Sequence, residues 1–508
     1  MRPIYKSAII FAILVISLNL ALLAFAYLST GKEYVFGGIL FNPLDGNTYL
    51  AKIQEGFNGS WRFTLPYECK SGQGAYVLLY YLFLGHLTRW LGVSGIFIFH
   101  FTRIVNSIIL IFTLAAFIQK IIPDQVWAVR ALWLAGLGSG MGWILLPFGV
   151  ITADMWLAEA YPFLSMQANP HFPLGLAIFL AILLITLKKE TWRNALLAGV
   201  LSLLLAVIQP FMIVTVLLVV FLFALYRFIL VKEFRIRNLL LIMGCGFPYL
   251  IYQYWVLNTD PILAQWMAQN QTPAPALWDL VLSLSPVILF AIVGLIRIKK
   301  IESENRLFIA FWLLATLIMA YVPIALQRRF LAGVYIAGAL LAVLGILTFA
   351  NQSRVALRLY RIVLLLSLPG TALILLISMF GVITHSPVLY LSHSEAQALS
   401  WLKSNTPQGS LVITSPEIGV FVPARSGNCV IYGHPYETIN AEQEKTSLIA
   451  YLSGEDVPSI TDQIHSHLDP VYLFYGPREA VFGNEILLNN MVDVYSDDGV
   501  TIYQFDQK

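Results

Sequence analysis

Long uninterrupted apolar runs dominate the hydrophobic pattern, in place of the short alternating segments of a soluble sheet protein. Runs near 8–28, 97–119, 127–148, 172–187, 194–209, 211–230, 238–256, 279–296, 307–324, 330–350 and 362–383 approach the ~20 residues an apolar helix needs to cross a bilayer. Charged patches fall between them. Arg2 and Lys6 precede the first run, Lys120 and Arg130 flank the second connection, and KKETWR (188–193), VKEFRIR (231–237), RIKKIESENR (297–306) and SRVALRLYR (353–361) follow at alternate connections. With about eleven spans, every basic connection lies on the side of the N-terminus, which is the positive-inside pattern of a cytoplasmic N-terminus.

One apolar stretch breaks this parity if it is counted as a span. AYVLLYYLFLGHLTRWLG (75–92) would send the later basic loops outward, so it is read as a helix lying in or dipping into the outer interface, where its aromatics, His86 and Arg89 are at home. Residues 8–28 also carry an AFA triplet that fits a signal-peptide cleavage site, but the run is long for such a segment and is read as a retained span. The outer face then holds a first loop (29–95), a second loop (149–171), the 257–279 connection, a short turn at 321–329 and everything after about 385. That tail has a helical pattern in SEAQALSWLKS (394–404) and β-like runs in SLVITS, CVIYG, PVYLFYG and GVTIYQF. It is read as a small extracytoplasmic α/β domain, 385–508, after a mainly α transmembrane domain, 1–384.

Composition agrees. Hydrophobic residues make up 58% and charged residues 12%, with mean hydropathy +0.75, and a soluble domain would carry roughly twice that charge. This is a multi-pass protein of the cell membrane. A net charge of +3 without a basic cluster gives no sign of a nucleic-acid partner. Cys69, Cys245 and Cys429 show no metal-ligand spacing. Cys69 and Cys429 share the predicted outer side, where they could pair, and two free thiols are the preferred reading.

The spans contain few ionisable residues, whereas a coupled transporter usually places carboxylates or histidines at mid-membrane. The notable ones sit in outer loops. Asp45 lies in NPLDGNTY, on a Pro- and Gly-framed turn before TYLAKIQEGF, where it serves either as a fixed carboxylate or as the cap of a following helix. The second loop carries Asp154, Glu159 and His171, the last before Pro173 at the start of an apolar run, and these residues also suit a solvated loop. Arg328 and Arg329, in PIALQRRF, break the positive-inside pattern. They suit forked hydrogen bonding to phosphate or snorkelling to headgroups. In the tail, GHPYET offers His434, Tyr436 and Glu437.

The order of one span, an outer loop with an early acid, an interfacial helix, a span with an Arg near its outer end (FTRIVNS, Arg103), a second acidic outer loop, many spans and an outer domain resembles the GT-C superfamily of integral-membrane glycosyltransferases. The branch it is most similar to is that of protein O-mannosyltransferases and aminoarabinose transferases. The first loop, ADMWLAEAYPFLSMQANPHFPLG, PIALQRRF and the 405–438 stretch carry the likeness. Asp45 is followed by Gly46 and Asn47 where that branch often has a further acid, and KSGQGAY stands where it has His-Pro-Pro. The resemblance implies transfer of a sugar from a polyprenyl-phosphate carrier to an acceptor lipid, glycan or protein at the outer face, with inversion. Asp45 is then the base, Arg328 and Arg329 the phosphate clamp, and Arg103 and His171 helpers. Asp154 and Glu159 orient sugar or acceptor, or join Asp45 around a divalent metal, although no cofactor is required. His434 and Glu437 are acceptor-side candidates. The alternatives are a lipid or lipid-linked-sugar transporter, or a non-catalytic scaffold of the same fold.

Overall fold

A computed structural model of the chain describes residues 1–70, 72–297, 304–349, 353–483 and 491–506. Most of the RIKKIESENR connection lies outside the described residues. Among the described residues, six helices are long and apolar enough to cross a membrane: Pro3–Leu28, Gly95–Ile121, Pro210–Val231, Arg237–Thr259, Gln327–Leu347 and Arg354–Ile383. Three shorter apolar helices, His171–Thr186, Trp192–Ile208 and Arg306–Met319, match further runs of the sequence. The fold is that of a mainly helical polytopic membrane protein with a small sheet.

Two expected spans come out differently. The 279–296 run is a pair of helices, Leu277–Leu284 and Val287–Ile296, bent by 87°. Pro286 lies at the break, and a proline disfavours helical geometry in the residue before it. The 127–148 run is helical only over Gln125–Leu137 and continues as two short turns, Gly142–Ile144 and Leu146–Phe148. Gly138, Gly140 and Gly142 weaken a helix there. At Gly140 a Cβ would meet the Ser283 carbonyl oxygen at 2.0 Å, so the chain also needs the space.

The chain folds as two compact units: Met1–Ala21, His100–Tyr252 and Gln271–Ser378 in one, and Leu22–Phe99, Gln253–Asn270 and Met379–Lys508 in the other. In the first, the Val287–Ile296 and Val334–Leu347 helices meet at Gly294 and Gly345, where a Cβ on either would come 2.3 Å from a facing carbonyl oxygen. Such close backbone approach is how helices pack where the surroundings are as apolar as they are.

The second unit joins the 29–95 loop to the tail. Strand β1 (Tyr34–Phe36) pairs antiparallel with β2 (Tyr390–Ser392). The four expected tail strands, β3 (Leu411–Ile413), β4 (Cys429–Val430), β5 (Tyr472–Tyr475) and β7 (Val500–Phe505), are joined by an unexpected one, β6 (Met491–Asp497), in a five-stranded sheet of order β4-β3-β5-β7-β6. Strand β3 runs parallel to β4 and β5, and β7 antiparallel to β5 and β6. The expected helix is His393–Asn405, started by a capping box between Ser392 and Glu395.

Two loop helices frame the 29–95 loop. Pro43–Phe57 crosses Leu79–Leu91 at Gly56 and Gly85, where an added Cβ would sit 2.1 Å from the Leu82 carbonyl oxygen and 2.2 Å from that of Ile53. The second helix has 13 residues, too few to span a bilayer. The free-thiol expectation is corrected: Cys69 and Cys429 form a disulfide, their Cα atoms 5.2 Å apart. A separation of 360 residues hides the pair from sequence spacing. It becomes visible only once β4 lies beside the first loop.

Candidate active site

Helix Pro43–Phe57 has Asn42 at its N-cap in the left-handed conformation, φ 52°, and Pro43 in its first turn. Asp45 is therefore a first-turn residue and not the cap, and the helix N-terminus favours its negative charge. The Asn42 side-chain amide donates to Asp45 Oδ2 at 2.7 Å. His434 Nε2 lies 3.3 Å from Asp45 Oδ1, with the imidazole 3% exposed and the carboxylate 43% exposed. The backbone N–H of Tyr436 donates to His434 Nδ1 at 3.1 Å. That bond leaves the proton of the neutral ring on Nε2, aimed at Asp45. The result is an accessible carboxylate beside a buried imidazole of fixed tautomer.

The same helix is anchored once more to the tail. Lys52, 1% exposed, pairs with Glu437 Oε1 at 2.8 Å, its ammonium 5.1 Å from the Tyr49 ring centroid and 5.4 Å from that of Phe63. The 434–438 turn is held in addition by the Thr438 hydroxyl, which accepts from the backbone N–H of Gly433 and His434. Asn270 Nδ2 and Gln269 Nε2 donate to the carbonyl oxygens of Tyr436 and Thr438. Lys52 was not among the sequence candidates. Its signal was helical spacing, because Asp45, Thr48 and Lys52 share one face of the helix.

Two further carboxyls lie close by. Burial raises Glu55 to about 7 against the hydrogen bonds it accepts from the Thr64 N–H and hydroxyl. Burial likewise raises Glu68 to about 7, although the Ile439 N–H donates to it at 2.7 Å. Both line a small cavity of ≈130 Å³ beside the disulfide.

The 149–171 loop belongs to the other unit. Asp154 is fully buried and accepts from Gly140 N–H at 3.0 Å and from the hydroxyls of Thr152 at 2.6 Å and Ser139 at 3.3 Å. The Ser283 hydroxyl bridges it to Asp279. Burial pushes the Asp154 carboxyl up, against these hydrogen bonds. Asp154 thus ties the loop to its neighbours. Glu159, also buried, pairs with Arg329 at 2.6 Å, so two sequence candidates 170 positions apart meet. Arg329 lies 5.6 Å from the Phe211 ring centroid and Arg328 5.3 Å from that of Trp156. Arg103 is buried and donates to the Gln167 carbonyl. His171 is buried at the start of its helix, next to Pro170, whose carbonyl accepts from Asn106 Nδ2 at 2.9 Å.

As a divalent-metal set these carboxylates fit poorly, because Asp154 is already surrounded by donors and Glu159 is ion-paired. The one group of three metal-type ligands among the described residues, Cys69, Cys429 and His467, contains two disulfide sulfurs and offers no thiolate.

Comparison of the backbone with solved structures decides the fold. An oligosaccharyltransferase from Archaeoglobus fulgidus in its apo form matches 93% of this chain and 71% of its own, at TM-score 0.54 and 12% identity. ArnT from Cupriavidus metallidurans, bound to undecaprenyl phosphate, matches 97% of this chain and 98% of its own, at TM-score 0.52 and 11% identity. The fold is that of the GT-C membrane glycosyltransferases. A complex of the archaeal protein with Zn and sulfate has the same GT-C fold at TM-score 0.52 and 13% identity, matching 96% of this chain and 72% of its own. No protein-family model matches the sequence, and no curated protein matches it.

Proposed function

We propose that this protein is a membrane glycosyltransferase that moves a sugar from a polyprenyl-phosphate carrier to an acceptor by direct, inverting transfer. The observation that carries the reading is the Asp45–His434 pair, an exposed carboxylate oriented by a buried imidazole of fixed tautomer, on a GT-C fold. The leaving group is a phosphate, already a weak base, so the reaction asks for no protonating acid. It asks for a base to take the acceptor's proton as its oxygen attacks the sugar C1, and for cations to meet the charge growing on the phosphate. Asp45 is the base, and His434 positions it. Arg328 and Arg329 are the phosphate clamp, with Glu159 holding the Arg329 guanidinium in one orientation. Asp154, Arg103 and His171 frame the second loop, and Lys52–Glu437 holds the Asp45 helix to its turn. No cofactor is needed for these steps.

The ArnT neighbour, solved with undecaprenyl phosphate, makes a polyprenyl phosphate the first donor carrier to try. The test is sugar release from a panel of polyprenyl-phosphate sugars by purified wild type and Asp45→Asn. Consumption of one donor by wild type and not by the variant supports the reading. Binding of a donor without consumption by either protein removes it in favour of a transporter or scaffold.

A further inference from the structure

A cavity of ≈570 Å³ in the unit that carries Asp45 serves none of the chemistry above. It lies along the same loop helix, at Leu50, Ile53 and Phe57, and is closed by the His393–Asn405 helix and by the residues that start the Gly95–Ile121 span. Its walls are mainly apolar, and the charged residues in the lining are two cations, Arg425 and Lys403, with no acid. Neither has a carboxylate partner among the described residues. Arg425 donates from Nη2 to the Gly37 carbonyl at 2.6 Å, and its Nε is buried without an acceptor. Lys403 is exposed, its ammonium 5.9 Å from the Phe57 ring centroid. The floor is the first turn of a 27-residue apolar helix, whose N-terminal dipole adds positive potential.

We propose that this cavity binds an anionic phospholipid, its phosphate held between Arg425 and Lys403 and part of one acyl chain laid on Leu50, Ile53, Val93 and Ile96. Two unneutralised cations beside an apolar wall match the two ends of such a lipid, and the volume is in the range of small-molecule sites. A cavity floored by the start of a membrane-length helix lies where leaflet lipids are at hand, which favours a lipid over a dissolved anion. The proposal does not depend on glycosyl transfer.

The test uses the full-length protein in a nonionic detergent, titrated with short-chain phosphatidylglycerol, short-chain phosphatidylcholine and inorganic phosphate, and read by native mass spectrometry and thermal shift. One equivalent of phosphatidylglycerol is expected to bind at least tenfold more tightly than phosphatidylcholine. Lys403→Gln, at an exposed site where folding is not at stake, should weaken it severalfold, and Arg425→Gln/Lys403→Gln at least tenfold. Ser400→Trp, on the exposed rim, should block the chain. Equal binding of the two lipids, binding unchanged in Lys403→Gln and Ser400→Trp, or an equal shift from inorganic phosphate alone would each overturn the proposal.

Discussion

Asp45 and Asp154 are both acids of predicted outer loops, and the fold treats them in opposite ways. Asp154 is sealed from solvent and ringed by Ser139, Gly140, Thr152 and Ser283 as donors. Asp45 stands 43% exposed at a helix N-terminus, with an imidazole directed at it. A carboxylate whose lone pairs are already used holds a loop together, whereas one that keeps an exposed edge can accept a proton from something outside. Glu159 falls between the two: it is buried, yet it pairs with an arginine that keeps part of its surface in solvent. The residue type alone therefore says little about the chemistry, which its set of donors and its exposure decide.

The sharpest way to break the comparison is to neutralise each acid. Asp45→Asn should cost about 10²–10⁴ in turnover per folded molecule, the range of a general base, with yield and melting temperature little changed. Asp154→Asn should do the reverse. Losing acceptor capacity inside a buried network costs about 1–3 kcal/mol, read as lower yield and melting temperature, with turnover per folded molecule largely kept. Equal effects of the two substitutions on both readouts would erase the distinction.

Next in size is Lys52→Met, which strands Glu437 in a buried position. Breaking a buried ion pair from one side costs about 3–5 kcal/mol. Lys52→Met combined with Glu437→Leu should recover most of that loss in a chemical or thermal melt. No recovery would mean that the pair does more than hold the helix.

The smallest effect concerns pH. Glu55 and Glu68 are each raised by burial to about 7 from an ordinary 4.5. The folded state then binds these protons more tightly than the unfolded one, so stability falls as pH rises from about 4.5 to about 7 and is level above. Glu55→Gln and Glu68→Gln should each melt higher than wild type at pH 8, by up to about 3 kcal/mol, and match it near pH 4.5. Variants that track wild type at both pH values would show that these carboxyls ionise freely.

Much of the fold was legible because bilayer-length apolar runs and alternating basic connections are strong signals. Four of the five strands in the tail sheet were equally plain, as short β-branched and aromatic runs between polar turns, and β6 (Met491–Asp497) was missed. What stayed hidden needed the third dimension. Pro286 bends one span by 87°, and the glycines from Gly138 to Gly142 stop another. The Cys69–Cys429 bond joins residues 360 positions apart. Among the candidate residues, the sequence separately singled out Asp45, Glu159, Arg329, His434 and Glu437, but not their pairings. Lys52 was not singled out, because its partner lies 385 positions away.

The central claim is that Asp45 and His434 work as one unit in sugar transfer. The most direct measurement is single-turnover transfer from the consumed polyprenyl-phosphate donor by wild type, Asp45→Asn, His434→Ala and the double variant. If the imidazole acts through the carboxylate, the double variant is no slower than Asp45→Asn alone, and His434→Ala shifts the pH–rate profile as well as the rate. Losses that multiply in the double variant, or full activity in Asp45→Asn, would contradict the account.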